Sequence, residues 1–234
     1  MKRTTPALLA LAAVLLVGAC GGGTTTAASS SAGTTSSTTP SVDAAAEEKA
    51  VRQAFADYRD AARAKDGLAA AELLSQDMLD YYTEGRDLAL TGSAEQVAGQ
   101  GATTAMLVYV MRAEFDATEL RGMSPEQLVA AAVEKGLVSE SSLDNVDLGA
   151  VTVDGDTATA EMTSRGKDAG VEMTFHKEDG SWRFDARSLM TAADEALKTV
   201  AKQQGVTLEE FLDTTLGTLY GAERVPELKK PLEG

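Results

Sequence analysis

The hydrophobic period of this chain switches from helical to strand-like near Val146, and that change narrows the folds open to it. Before it, apolar residues recur at helical spacing. Val51, Phe55, Tyr58 and Ala62 lie at i, i+4, i+7 and i+11 within Asp43 to Lys65, a stretch without Gly or Pro, and so share one helical face. Leu68 to Tyr82 reads as a second helix, with Leu74, Met78 and Tyr81 or Tyr82 lining a face. Thr91-Gly92-Ser93 marks a loop, and Thr103 to Phe115 reads as a third helix around Leu107, Val110 and Met111. Ser124-Pro125-Glu126-Gln127 opens a fourth. It has a serine cap, a proline at the first helical position and a glutamine three residues after the cap, and Gly136 is the expected stop.

After Val146 the period is two. Val151 and Val153 share a face, Asp154-Gly155 turns the chain, and Ala158, Ala160 and Met162 then point one way. A third run places Val171, Met173 and Phe175 inward and Glu172, Thr174 and His176 outward. Glu178-Asp179-Gly180 turns into a fourth run, with Trp182 and Phe184 inward and Arg183 and Asp185 outward. Short turns between such runs build an antiparallel meander with one packed face. Two helices are expected after the strands. Leu189, Ala193, Leu197 and Val200 stripe the first, and Thr207-Leu208-Glu209-Glu210 caps the second. The fold class is therefore α+β.

The first 42 residues have a different character. Met1-Lys2-Arg3 is basic, and Ala7 to Val17 is an unbroken apolar run. That run is too short to span a bilayer, which takes about 20 residues, but has the length of a signal-peptide core. It ends in Leu16-Val17-Gly18-Ala19-Cys20, which resembles the lipobox of bacterial lipoproteins. The resemblance implies that residues 1–19 are removed and that the Cys20 thiol carries a diacylglyceryl group, with further acylation of the new N-terminus. Cys20 is the chain's only cysteine, so no internal disulfide is possible. Two or more acyl chains give stable anchoring, so a lipid-anchored position on the extracytoplasmic face of the cell membrane is expected. Residues 20–42 then read as the lipidated cysteine and a flexible Gly/Ser/Thr linker, with a coil dimension of about 25 Å for Gly21 to Ser41. Residues 43–225 read as one α+β domain and 226–234 as a C-terminal tail.

Charge excludes some partners. The chain has 21 basic and 36 acidic residues, net −15, and Lys2 and Arg3 fall in the leader, so residues 20–234 carry −17. Such a surface does not displace counterions from nucleic acid and does not adsorb on anionic headgroups. The only membrane contact expected is through the lipid.

The strand region resembles the nuclear-transport-factor-2-like superfamily, in particular its bacterial lipoprotein members. The matching residues are Val151 to Gly155 with Thr157-Ala158-Thr159, the run Lys177-Glu178-Asp179-Gly180-Ser181-Trp182-Arg183-Phe184-Asp185, and the tail Ala201 to Phe211. The likeness covers Ala44 to Gly221. It implies N-terminal helices packed on a curved antiparallel sheet that closes a cone-shaped cavity, and possible homodimerisation through the outer sheet face. The C-terminal helical pair departs from compact members, which end at the last strand.

The superfamily's enzymes, ketosteroid isomerase among them, pair an acidic base with tyrosine hydroxyls, which directs attention to Asp80, Tyr81 and Tyr82 as a catalytic alternative of isomerase or hydratase type. The residues themselves favour packing there. His176 is the only histidine and falls on the polar face; a lone histidine does not make a His-rich zinc site, so no metal or cofactor is expected. Asp144-Asn145-Val146-Asp147 and Asp154-Gly155-Asp156 fall short of a calcium loop. Met78, Met106, Met111, Met162, Met173 and Met190 suit either an adaptable pocket or plain core. The expected function is non-enzymatic binding of a small apolar ligand or a partner protein of the envelope. A cavity already filled by Trp182, Phe184 and Phe175 would instead favour a pure interaction module.

Overall fold

The computed structural model describes residues 42–135 and 145–233. Cys20, the leader and the linker through residue 41 lie outside the described residues, as do Gly136 and Asp144. No described helix is long and apolar enough to cross a membrane.

Helix α1 (Val42–Arg63) buries the face its spacing predicts, with Val51, Phe55, Tyr58 and Ala62 all in the core. The second expected helix is broken in two, α2 (Gly67–Glu72) and α3 (Gln76–Thr91). The break is tertiary in origin. Leu73 to Ser75 run alongside the last strand: the Phe184 N–H donates to Leu73 O (2.8 Å) and the Ser75 N–H to Phe184 O (3.0 Å). Ser75, fully buried, then caps α3 by accepting from the Met78 N–H. Next come α4 (Ala94–Ala98), α5 (Ala102–Glu114), α6 (Ala117–Gly122) and α7 (Pro125–Glu134). Capping boxes open α4 (Ser93, Gln96), α6 (Asp116, Glu119) and α7 (Ser124, Gln127).

Strands β1 (Val146–Asp154), β2 (Thr157–Ser164), β3 (Lys167–Glu178) and β4 (Ser181–Asp185) form an antiparallel sheet in the order β1-β2-β3-β4. The β3–β4 turn places Asp179 and Gly180 at φ of 50° and 78°, the doubly left-handed conformation that matches strand twist. Register pairs Ala158 with Phe175 and Phe175 with Phe184, so the inner face alternates as expected. β1 is irregular between Leu148 and Val151. There Arg52 of α1 donates to Leu148 O (2.9 Å) and Gly149 O (2.6 Å), tying α1 to the bulged strand.

Helix α8 (Arg187–Gln203) comes after β4, then α9 (Leu208–Tyr220), opened by the Thr207/Glu210 capping box, and a single turn α10 (Val225–Leu228). Packing does not end at residue 225. Leu228 is buried, and the N–H groups of Leu232 and Glu233 donate to Ala89 O and Leu90 O at the end of α3. The expected tail is docked as far as residue 233.

Arg112 of α5 explains that docking. Its guanidinium is buried and donates to Leu88 O (2.7 Å), Ala89 O (3.0 Å), Gly92 O (2.6 Å) and Leu228 O (3.2 Å). The last carbonyls of a helix lack intrahelical donors and carry the negative end of its dipole. One cation therefore satisfies the end of α3 and the end of α10 together.

Candidate functional site

The space between α1 and the sheet is filled. Phe55 meets Phe184 (centroids 5.7 Å apart, 76° between planes) and Phe175 (6.5 Å, 89°), while Tyr58 lies 5.2 Å from Phe184 and Phe175 5.4 Å from Phe184. These are the edge-to-face and tilted geometries that aromatic quadrupoles favour. Phe175 is wholly buried, and Trp182 and Phe184 nearly so. Small residues on β2, Ala158 and Ala160, leave the volume these rings take. Burial pushes the Tyr58 hydroxyl up to about 12. Of the six methionines singled out, Met78, Met106, Met111, Met162 and Met173 are core, and Met190 packs half-buried against it.

Asp80 points away from Tyr81 and Tyr82, whose rings meet edge to face (centroids 6.0 Å apart). Asp80 is exposed and accepts from Gln76 Nε2 (2.8 Å). The half-buried Tyr81 hydroxyl bonds Thr104 Oγ1 (3.2 Å). Tyr82 turns into the core against the Tyr81 ring, and burial raises its hydroxyl well above the ordinary range. A carboxylate base and hydroxyl donors must share one reacting atom to act together; here the carboxylate faces solvent while the Tyr82 hydroxyl is buried in the core and the Tyr81 hydroxyl is bonded to Thr104.

The structure does assemble a polar cluster around His176. Alternation placed His176 and Asp185 outward, and they are outward, but the start of α8 covers them. Asp185 is buried, and its carboxylate accepts from His176 Nε2 (3.3 Å), from the Arg187 N–H (2.9 Å) and from the Arg187 guanidinium (2.7 Å at the closest). Arg187 also reaches Asp77 of α3 (2.5 Å). Burial opposes the charge on Asp185, yet the bonds from Arg187 and His176 hold its carboxyl below the usual range. Asp77, His176 and Asp185 offer three ligand-type atoms within 4.8 Å of one another. The Arg187 guanidinium is bonded to both carboxylates and supplies the positive charge a cation would bring. The cluster is a clamp joining α3, β3, β4 and α8. Asp147 and Asp154, from the two acidic runs, are exposed; Asp147 accepts from Arg59 (2.8 Å).

Near the N-terminal end of α1, Glu47 accepts from Lys177 Nζ (2.6 Å) and Trp182 Nε1 (2.7 Å), and Lys177 lies over the Trp182 ring. Those two bonds lower the Glu47 carboxyl. A hollow of about 450 Å³ beside them is lined by these three side chains together with alanines of α1, Gln53, Asp57, Leu73 and the β3–β4 turn through Arg183.

A second hollow, about 340 Å³, lies in the helical layer between α4, α5, α9 and α10. It is built by small residues. Ala98, Ala102 and Ala105 leave a trough, Leu208 and Leu212 of α9 form the facing wall, and Tyr109 lines it further along α5. The start of α5 is held by α8: Asp194 accepts from the Thr103 N–H (2.7 Å) and Oγ1 (2.5 Å). Gly101, at φ 100°, permits that approach, because a Cβ there would strike the Asp194 carboxylate. At the rim Lys229 donates to Glu209 (2.9 Å) and Asp213 (2.7 Å). Burial works against the Lys229 charge, but those two carboxylates outweigh it and raise its pKa. The signal in the sequence is the spacing of Ala98, Ala102 and Ala105, of which the expected helix Thr103 to Phe115 takes in only the last, and the residues opposite come from a helix about a hundred positions away.

Comparison with known proteins returned no matching family model, no matching curated protein and no matching solved structure.

Proposed function

We propose that this chain is a lipid-anchored lipoprotein of the bacterial cell membrane, tethered through Cys20 on the extracytoplasmic face, and that its domain binds a small apolar molecule without catalysis. On this reading the domain is a variant of the nuclear-transport-factor-2-like architecture. Its cone is packed shut by aromatic side chains, and the second helix of its C-terminal pair forms a groove with α4 and α5 in place of the cone.

One observation carries the binding reading. The sheet interior is closed by Phe55, Tyr58, Phe175 and Phe184, whereas the α4–α5–α9 trough is open and walled by alanine and leucine. Small-molecule sites are concave and mostly apolar, with a few polar groups that fix orientation. The separation of exposed Asp80 from the Tyr81 and Tyr82 hydroxyls weighs against the isomerase alternative.

Two experiments test the two parts. Replacing Cys20 by serine is expected to release the exported protein from the membrane fraction; equal retention of the variant refutes the anchor. Native mass spectrometry of the full chain carrying Cys20→Ser is expected to show an added small-molecule mass, lost when Ala98→Trp fills the trough. A bare polypeptide mass in both proteins counts against the binding reading.

A further inference from the structure

We infer that the α4–α5–α9 groove takes an apolar molecule with a cationic ammonium head, an inference that rests on the binding reading above and narrows its ligand class. Three carboxylates line the hollow, those of Glu95, Glu209 and Asp213, against one cation, Lys229. Lys229 is already shared between Glu209 and Asp213 and sits mostly buried, at 21% exposure. Asp213 meets Lys229 through Oδ2 alone, and one positive charge against three negative leaves the lining with a net charge of −2. The apolar floor of Ala102, Ala105 and Leu212 receives a short hydrocarbon body. The acidic mouth then meets the head.

Charge decides between head groups. A carboxylate head entering this mouth adds a fourth negative charge where the lysine is spoken for. An ammonium head brings the missing positive one. The effect is moderate, because Glu95 and Glu209 are exposed and exposed ion pairs are worth little. The volume lies at the small end of ligand sites, which run from about 300 to 1,000 Å³, and fits a chain of about eight carbons.

The test uses the full chain carrying Cys20→Ser, free of detergent, titrated by calorimetry with octylamine, 1-octanol and sodium octanoate at neutral pH. Octylamine, protonated there, is expected to bind about fivefold tighter than octanol, with octanoate weakest. The preference should shrink in high salt, where surface charges are screened. Glu95→Gln combined with Glu209→Gln removes two rim charges from exposed positions and is expected to make octylamine and octanol equal. Ala98→Trp, also at an exposed position, is expected to abolish binding of all three. Equal binding of octylamine and octanol to the unmodified groove, or tighter binding of octanoate, overturns the ammonium inference and leaves the apolar groove standing. Binding of none of them, or binding that Ala98→Trp leaves untouched, overturns the groove itself.

Discussion

The two layers of the domain solve the same packing problem in opposite ways. On the sheet side, alanines on β2 face large rings on β3, β4 and α1, and the interior closes around them. On the helical side, alanines on α4 and α5 face leucines on α9, and a trough is left open with charged groups at its rim. Small residues thus make room in both layers; what stands opposite decides whether the room is filled. The helical side also keeps a buried cation, Arg112, whose hydrogen bonds go to backbone carbonyls and whose guanidinium lies 5.9 Å from the Tyr109 ring, whereas the sheet interior is held by rings.

The largest effect expected from breaking this contrast is at Phe175. Phe175→Ala removes a fully buried ring from the aromatic cluster and should cost about 3–5 kcal/mol in urea unfolding. A loss below about 1 kcal/mol would mean that the sheet interior is loosely packed. Arg112→Met keeps the stem and removes the donors to Gly92 O and Leu228 O. The expected loss is about 2–3 kcal/mol, with faster amide exchange at Leu232 and Glu233 because α10 loses its hold. An unchanged C-terminal exchange pattern would show that the cation does not tie the chain end.

Asp185→Asn tests the clamp between the layers. The folded carboxyl is held below its unfolded value of about 3.9, so its contribution is present above that pH and disappears as pH falls through the folded value. The native protein should therefore lose stability on going from pH 7 to pH 3 more steeply than the variant. The variant should be less stable at pH 7 by about 1–2 kcal/mol, as for a lost charged hydrogen bond. Parallel acid limbs would remove Asp185 from the account. The smallest effect is expected at Arg121, whose ion pair with Glu233 is exposed. Arg121→Ala should change stability by less than about 0.5 kcal/mol, which separates the backbone docking of the chain end from its surface charge.

Much of the fold was readable without coordinates, and particular residues show why. The capping boxes at Ser124 and Thr207 depend on side chains three positions apart, and both formed where their spacing placed them. The alternation of Ala158, Ala160, Met162, Met173, Phe175, Trp182 and Phe184 needs only period two. The break at Leu73 to Ser75 was hidden because strand β4, more than a hundred residues later, supplies its hydrogen bonds. Asp185 read as a surface residue for the same kind of reason: its alternation was right, but the cover came from α8.

The sequence by itself determined the four strands, the longer helices and which faces are apolar, because caps, turns and periodicity act over a few residues; the short helices α4, α6 and α10 and the break before α3 were not legible in it. Only the tertiary structure decided that the rings close the sheet side, that Arg187 joins Asp77 to Asp185, and that a trough opens between α5 and α9. Each of those depends on which side chain arrives opposite from a distant part of the chain, and spacing along the backbone carries no record of that meeting.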